Sequence, residues 1–571
     1  MTTGLRKGLT SYGDPGFSLF LRKVLVKSLG YSDQALDRPI VGITNTGSDF
    51  NPCHGNVPAL IESVRRGVML QGALPMVFPT ISLGEPFVHP TAMFLRNLMA
   101  MDTEEMIRAQ PMDAVVLIGG CDKTLPAQVM AAASVNLPTV VLPTGPMVAG
   151  HHRGEVVGAC TDCRRFWAQH RAGGIEAGEI DQIAGRLAPS TGTCGVMGTA
   201  STMACLIESL GLSLPMSASI PANHADRLRI AEATGTRAAE IAVSGGPKPR
   251  DLITTASVRN AMVVLQAIGG STNGLIHLIA IAGRAGVPID LKAFDQLGRT
   301  VPVLLNLKPS GAHYMEHFHY AGGMPTLLSQ IAPHLDVNAP LIGGGTLADV
   351  IAQAEGIPAQ DVIRPLAAPL SAQGAIAVLF GNLAPNSAVI KQSAASPQFM
   401  QHTGRAVVFD SIEDLTRRID SPDLDVRADD ILVLRNAGPK GAPGMPEAGY
   451  LPIPVKLARQ GVRDMVRISD ARMSGTAFGT IVLHIAPEAA VGGPLAIVRT
   501  GDPISLDVEA RQLNLLVDAA EIESRLAAWK VSSPIREKPQ RGYARLFEDS
   551  VLQANQGCDF DFLLGSDPVS K

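Results

Sequence analysis

The chain has 571 residues, with 48 Lys and Arg against 52 Asp and Glu and a formal net charge of −4. That length exceeds what one hydrophobic core holds, so two or more domains are expected. The charge balance and the lack of a Lys/Arg run exclude a nucleic-acid arm, and 4% aromatic content argues against a base- or sugar-stacking surface, which leaves a small-molecule partner as the expectation.

MTTGLRKGLTSYGDPG at the N-terminus lacks a signal-peptide core, and Gly, Pro or charge interrupts every apolar stretch before about 18 residues. A cytoplasmic protein with no membrane partner is expected. Seven cysteines, at 53, 121, 160, 163, 194, 205 and 558, are an odd number, which moves metal or reactive roles above a disulfide framework.

In chain order, the first half repeats a β-branched run, a Gly/Asn/Pro-rich loop and an apolar-periodic helix. RPIVGIT (38–44) reads as a strand, TGSDFNPCHGN as its loop and VPALIESVRRGVML (57–70) as a helix; another strand-like run precedes ISLGEP and its Glu85. DAVVLIGG (113–120) is a strand, CDKT its loop, and Pro126 falls in an expected first helical turn, where a missing N–H costs nothing. TVVLPTG (139–145) follows as a strand, and the stretch 188–211 places Cys194 ahead of a small-residue helix. Such alternation predicts an α/β domain with a doubly wound parallel sheet and functional loops at the strands' carboxyl ends. After about residue 370, AIAVLFGNLAP, RAVVFDS, DILVLRNAG and PLAIVRTGDPISLDVEARQLNLLV read as strand-like segments joined by short turns. They predict a β-rich second domain. With the seam in PLAAPLSAQG (365–374), the domains are expected at 1–370 and 371–571.

Cys121, Asp122 and Lys123 put a soft thiol, a hard oxygen donor and an ammonium side by side at a strand end, beside a helix N-terminus whose free N–H groups favour anions. Cys53, Cys121 and Cys194 occupy comparable loops. Their separations of 68 and 73 residues exclude a zinc-finger or bacterial-ferredoxin run. A cluster built from dispersed loops and three packed thiols both stay open. Cys160 and Cys163 form a CxxC with no second CxxC, so a structural role is expected; Cys205 and Cys558 read as packed residues. Loop carboxylates are ordinarily just solvated, yet Glu85, Asp122 and Glu447, the last in the rigid loop NAGPKGAPGMPEAG (436–449), together suit Mg²⁺. Lys123 cannot ligate a cation: it pairs with Asp122, covers a substrate carboxylate, or becomes a carbamate. Ser474, in RISDARMSGTAFGT (467–480), has a turn or cap as its ordinary role. No GxSxG elbow surrounds it, which leaves a hydrolase triad unsupported. GGSTN (269–273) and GGG (343–345) are weak anion cradles without a GxGxxG or Walker pattern.

NPCHGN, IGGCDKT, STGTCGVMGTASTMA, IGGSTN, LFGNLAP, GPKGAPGMPE and SDARMSGTAFGTIVLH, in this order, resemble the dihydroxy-acid dehydratase and 6-phosphogluconate dehydratase family from about residue 35 to GCDFDFL. HPTAMFLRNL, MGTASTMA and ARMSGTAFGT are more similar to its sugar-acid (aldonate) branch: the branched-chain amino-acid enzymes have a DG segment where this chain has LGEP and an FSGG segment where it has MSGT. Glu85 thus stands in for an aspartate. The resemblance implies an iron–sulfur cluster on Cys53, Cys121 and Cys194, of the 2Fe-2S type in this branch. It implies Mg²⁺ on Glu85, Asp122 and Glu447 with a carbamylated Lys123, Ser474 as base, a barrel-like C-terminal domain of the swivelling type, and a homodimer or homotetramer. His54, where relatives have Asn, departs from the pattern. The implied reaction is dehydration of a 2,3-dihydroxy acid. The branched-chain dihydroxy acid is the alternative substrate, and a non-catalytic iron–sulfur redox protein the alternative of another class.

Overall fold

The computed structural model describes residues 3–354, 360–532 and 538–565. Four strands, β1 (Ile40–Asn45), β2 (Leu74–Pro79), β3 (Ala114–Gly119) and β4 (Thr139–Pro143), form an all-parallel sheet in the order β2-β1-β3-β4. β3 and β4 are buried throughout, as strands covered on both faces are. The helix α1 (Val57–Leu70) follows β1, α2 (Ala92–Ala109) precedes β3, and α3 (Thr124–Val135) follows it. α2 packs on α3, whose Ala-rich surface permits close approach, while α1 packs on the later helix spanning Ala225–Ser244. The sheet is therefore doubly wound, as the alternation predicts.

That alternation stops sooner than expected. After β4 and a small hairpin, the described residues from 161 to 352 form helices and no named strand. Segments such as TASTMACLIES follow the helical period, and this one packs on α3 and on the later helices Thr255–Ala267 and Thr272–Arg284.

The C-terminal sheet has eight strands: β5 (Ile376–Leu379), β6 (Ser387–Lys391), β7 (Gln401–Phe409), β8 (Ile431–Leu434), β9 (Arg467–Ser469), β10 (Ile481–Ala486), β11 (Pro503–Asp507) and β12 (Gln512–Leu515). Their order is β12-β11-β7-β8-β9-β10-β6-β5, and a bridge between Phe380 and Gln512 brings the ends together into a nearly closed barrel. The expectation of short turns fails in its middle. β7, β8, β9 and β10 pair in parallel, and parallel neighbours need long crossovers. The crossover from β8 to β9 carries Glu447, and the loop from β9 to β10 carries Ser474. PLAI, expected as a strand, is a 3-10 helix started by Pro494.

Period-two alternation decides what each barrel face meets. Ala377, Leu379, Ile390 and Val408 join the barrel's own core, while Ile376, Val378, Val389 and Leu483 join the core of the N-terminal unit. The last described stretch also returns there: Arg96 donates to the carbonyls of Gly557 and Cys558 at 2.9 Å each, and Arg284 grips Asp559 through two contacts of 2.7 and 2.9 Å. Arg284 and Asp559 are both fully buried, so Arg284→Ala strands a carboxylate in the core. A loss of about 3–5 kcal/mol is expected, read from the denaturant midpoint.

Candidate active site

Parallel strands put all their carboxyl ends on one edge. Cys53 follows β1, Glu85 follows β2, and Cys121, Asp122 and Lys123 follow β3. Two close approaches fix these loops. A Cβ on Gly120 would lie 1.7 Å from Thr144 Oγ1, which itself donates to the Cys53 carbonyl at 2.9 Å. His54 is wholly buried: its Nδ1 donates to Thr46 O at 2.8 Å, and its Nε2 accepts from the N–H groups of Gly120 and Cys121 at 3.0 and 3.1 Å. Burial lowers its pKa to about 4, keeping the ring neutral and able to accept. His54 therefore clamps the Cys121 loop to the Cys53 loop, a role its place in NPCHGN does not reveal.

Cys121 neighbours Cys53, and Cys160 is hydrogen-bonded to both Cys163 and Cys194. The neighbouring Cys53 thiol, together with burial, holds the Cys121 pKa well above the usual thiol range. Cys194 is raised likewise, first by its hydrogen bond to Cys160 and then by burial, with Cys53 and Cys121 adding repulsion. A soft metal binding here must displace these protons. Cys160 Sγ lies 3.4 Å from Cys194 Sγ, so the CxxC joins the thiol group rather than standing apart from it. Cys205 and Cys558 are packed, as expected.

Glu85, Asp122 and Glu447 each offer an oxygen within 4.8 Å of the others'. Two buried cations face them. Arg472 donates to Glu447 Oε1 at 2.5 Å and to Glu85 Oε1 at 2.8 Å, while Lys123 pairs with Asp122 and stands 3.5 Å from Glu85 Oε2. For Glu85, burial raises the pKa, but Arg472 and Lys123 outweigh it and bring the value to about 2. For Glu447, burial and its carboxylate neighbours push upward past the pull of Arg472. Three carboxylates thus share two cations, and Glu85 Oε2 is buried without a hydrogen bond. A hard divalent cation fits that surplus charge and unpaired oxygen.

The 472–476 loop runs between the two donor sets. Arg472 holds the carboxylates, and the Thr476 carbonyl accepts from Thr161 Oγ1, next to Cys160, at 3.0 Å. Ser474 lies between them on this loop, its Oγ 2.9 Å from Thr476 Oγ1 and 3.4 Å from the Thr476 N–H. Gly475 is required here: a Cβ would lie 2.6 Å from Ser271 and 2.8 Å from the Thr199 nitrogen. Asn273 Nδ2 donates to Met473 O at 2.9 Å, so GGSTN buttresses the serine loop. GGG at 343–345 is a turn beneath Leu341.

Sequence reasoning missed four of the neighbours. Arg472 lies in SDARMSG beside Ser474, and Thr91, in HPTAM, bonds both Glu85 and Arg472 at 2.8 and 2.7 Å. Lys391 reaches the Gly475 carbonyl at 3.5 Å, and burial lowers its pKa to about 7. His277 is buried with its Nε2 unpartnered, and burial followed by the charges of Arg96, Lys123 and Arg472 holds it neutral. No helix among the described residues is long and apolar enough to cross a membrane.

Residues 38–350 match the family model Dihydroxy-acid/6-phosphogluconate dehydratase N-terminal, and residues 361–558 match its C-terminal counterpart. An L-arabonate dehydratase of Azospirillum brasilense is 47% identical over 96% of this chain and 95% of its own. A 6-deoxy-6-sulfo-D-gluconate dehydratase of Pseudomonas putida is 45% identical over 94% and 92%. A dihydroxy-acid dehydratase of Desulfosudis oleivorans is 38% identical over 94% and 97%.

Proposed function

The chain belongs to the dihydroxy-acid/6-phosphogluconate dehydratase family and is a hydro-lyase, and from that premise we propose that it dehydrates an aldonate, a 2,3-dihydroxy sugar acid, to the 2-keto-3-deoxy acid. The observation that carries this reading is the meeting of a soft and a hard donor set across the Ser474 loop. Cys53, Cys121 and Cys194 are the residues for a 2Fe-2S cluster, and Glu85, Asp122 and Glu447 those for Mg²⁺, with a carbamylated Lys123 as a further oxygen ligand. Bound there, the two groups supply Lewis acidity toward the leaving hydroxyl and charge stabilisation for the enolate.

The remaining work belongs to side chains. Ser474 takes the C2 proton; an alkoxide there is favoured by the Thr476 N–H and hydroxyl. The proton Ser474 has taken passes to the departing C3 hydroxyl, which leaves as water, and the resulting enol tautomerises to the keto acid. Arg472 and Thr91 keep Glu85 and Glu447 facing Asp122. The aldonate branch is favoured by LGEP and MSGT in place of the DG and FSGG segments, and by the higher identity to the relatives named for sugar acids.

The test is a panel of D- and L-pentonates, hexonates and branched 2,3-dihydroxy acid on anaerobically purified protein with Mg²⁺, assayed for 2-keto acid. At least one aldonate is expected to exceed the branched acid by about 100-fold or more in kcat/KM, since a site built for hydroxyls rejects an apolar tail. Preference for the branched acid, or no keto acid from any substrate, contradicts the reading.

A further inference from the structure

The dehydration as described leaves the CxxC without work, yet one of its sulfurs touches the thiol set. Cys160 Sγ lies 3.4 Å from Cys194 Sγ, while Cys121 pairs with Cys53. Two thiolates on one tetrahedral metal, at metal–sulfur distances of about 2.3 Å, have their sulfurs about 3.8 Å apart. A cluster of two irons and two sulfides is saturated by four thiolates, two on each iron. Cys53 beside Cys121 and Cys160 beside Cys194 match that arrangement, with Cys163 a further neighbour of Cys160; three cysteines alone leave one iron a ligand short.

The position of Cys160 is held from both sides. Ala159 O accepts from the Gly195 N–H at 3.2 Å, next to Cys194, and the Ala159 N–H donates to Leu187 O at 2.9 Å. On the other side, Thr161 Oγ1 bonds Thr476 O on the serine loop. Cys160 is also the N-cap of the helix Thr161–Arg171.

We propose that Cys160 is a fourth thiolate of the cluster in the substrate-free protein, sharing one iron with Cys194, and that the substrate's C3 hydroxyl displaces it. The proposal rests on the cluster reading above. The exchange is redox-neutral: the Cys160 sulfur leaves with its electron pair, the hydroxyl oxygen donates a pair in its place, and the freed thiolate takes a proton from solvent. The resting cluster is thereby closed to small oxidants, and only an acid able to occupy both donor sets opens it.

The test is Mössbauer spectroscopy of ⁵⁷Fe-loaded holoprotein, wild type against Cys160→Ser and Cys160→Ala, without substrate. Wild type is expected to show both irons in all-sulfur surroundings, and each variant to show one iron shifted as oxygen replaces sulfur, with iron and sulfide content retained. Superimposable spectra overturn the proposal. Alkylation by iodoacetamide of Ser474→Ala holoprotein, in which a bound aldonate keeps its C3 hydroxyl, reads the displacement when mapped by mass spectrometry: a saturating aldonate is expected to speed labelling of Cys160 about tenfold or more. An unchanged rate overturns that part. Absence of iron and sulfide from wild type defeats the cluster reading itself, whereas a normal cluster with unaltered variant spectra defeats only the role of Cys160.

Discussion

Cys121→Ser is expected to bleach the visible absorption of the cluster and reduce bound iron to near background, with turnover lost in parallel. The thiol is 4% exposed and lies at the end of a strand buried throughout. Its backbone N–H is tied to His54, and its thiol stands beside Cys53 and 3.6 Å from Asp122 Oδ1. A serine there presents a hard, protonated oxygen where iron–sulfur chemistry needs a soft thiolate. Because Asp122 is the next residue, Mg²⁺ affinity is expected to weaken as well. Iron analysis and the absorption spectrum check the result, and an unchanged spectrum removes Cys121 from the cluster.

Ser474→Ala is expected to do the opposite: iron, sulfide and Mg²⁺ stay, and kcat falls by about 10²–10⁴, the range of a positioned general base. Among the described residues, the Ser474 hydroxyl bonds only the hydroxyl and N–H of Thr476. The loop's shape is set instead by Gly475 against Ser271 and by Asn273 on Met473, neither of which the substitution touches. Loss confined to kcat marks a group that acts in the transition state. Full turnover in this variant takes the serine out of the chemistry.

Much of this was legible in the amino-acid order, for a physical reason. A parallel sheet converts chain-order punctuation into spatial convergence, so IVGIT, MVFPT and AVVLIGG place Cys53, Glu85 and Cys121 at one edge without any knowledge of long-range contacts. The C-terminal loops were legible from their Gly and Pro content but not their connectivity, because local alternation cannot distinguish a parallel crossover from a hairpin. What stayed hidden depends on contacts between distant segments. Arg472 meets Glu85 across 387 positions, and Cys160 meets Cys194 across 34. Lys391 ends a strand of otherwise ordinary pattern, and nothing in SAVIK marks its ammonium as buried beneath the serine loop.

The central claim is that sulfur-held iron and a carboxylate-held divalent cation flank one substrate position. Anomalous diffraction at the iron and manganese edges, from crystals grown anaerobically with Mn²⁺ in place of Mg²⁺, tests it most directly. The account predicts iron peaks among Cys53, Cys121 and Cys194 and a separate manganese peak among Glu85, Asp122 and Glu447. Manganese bound elsewhere in protein that turns over an aldonate, or iron away from these sulfurs, contradicts it.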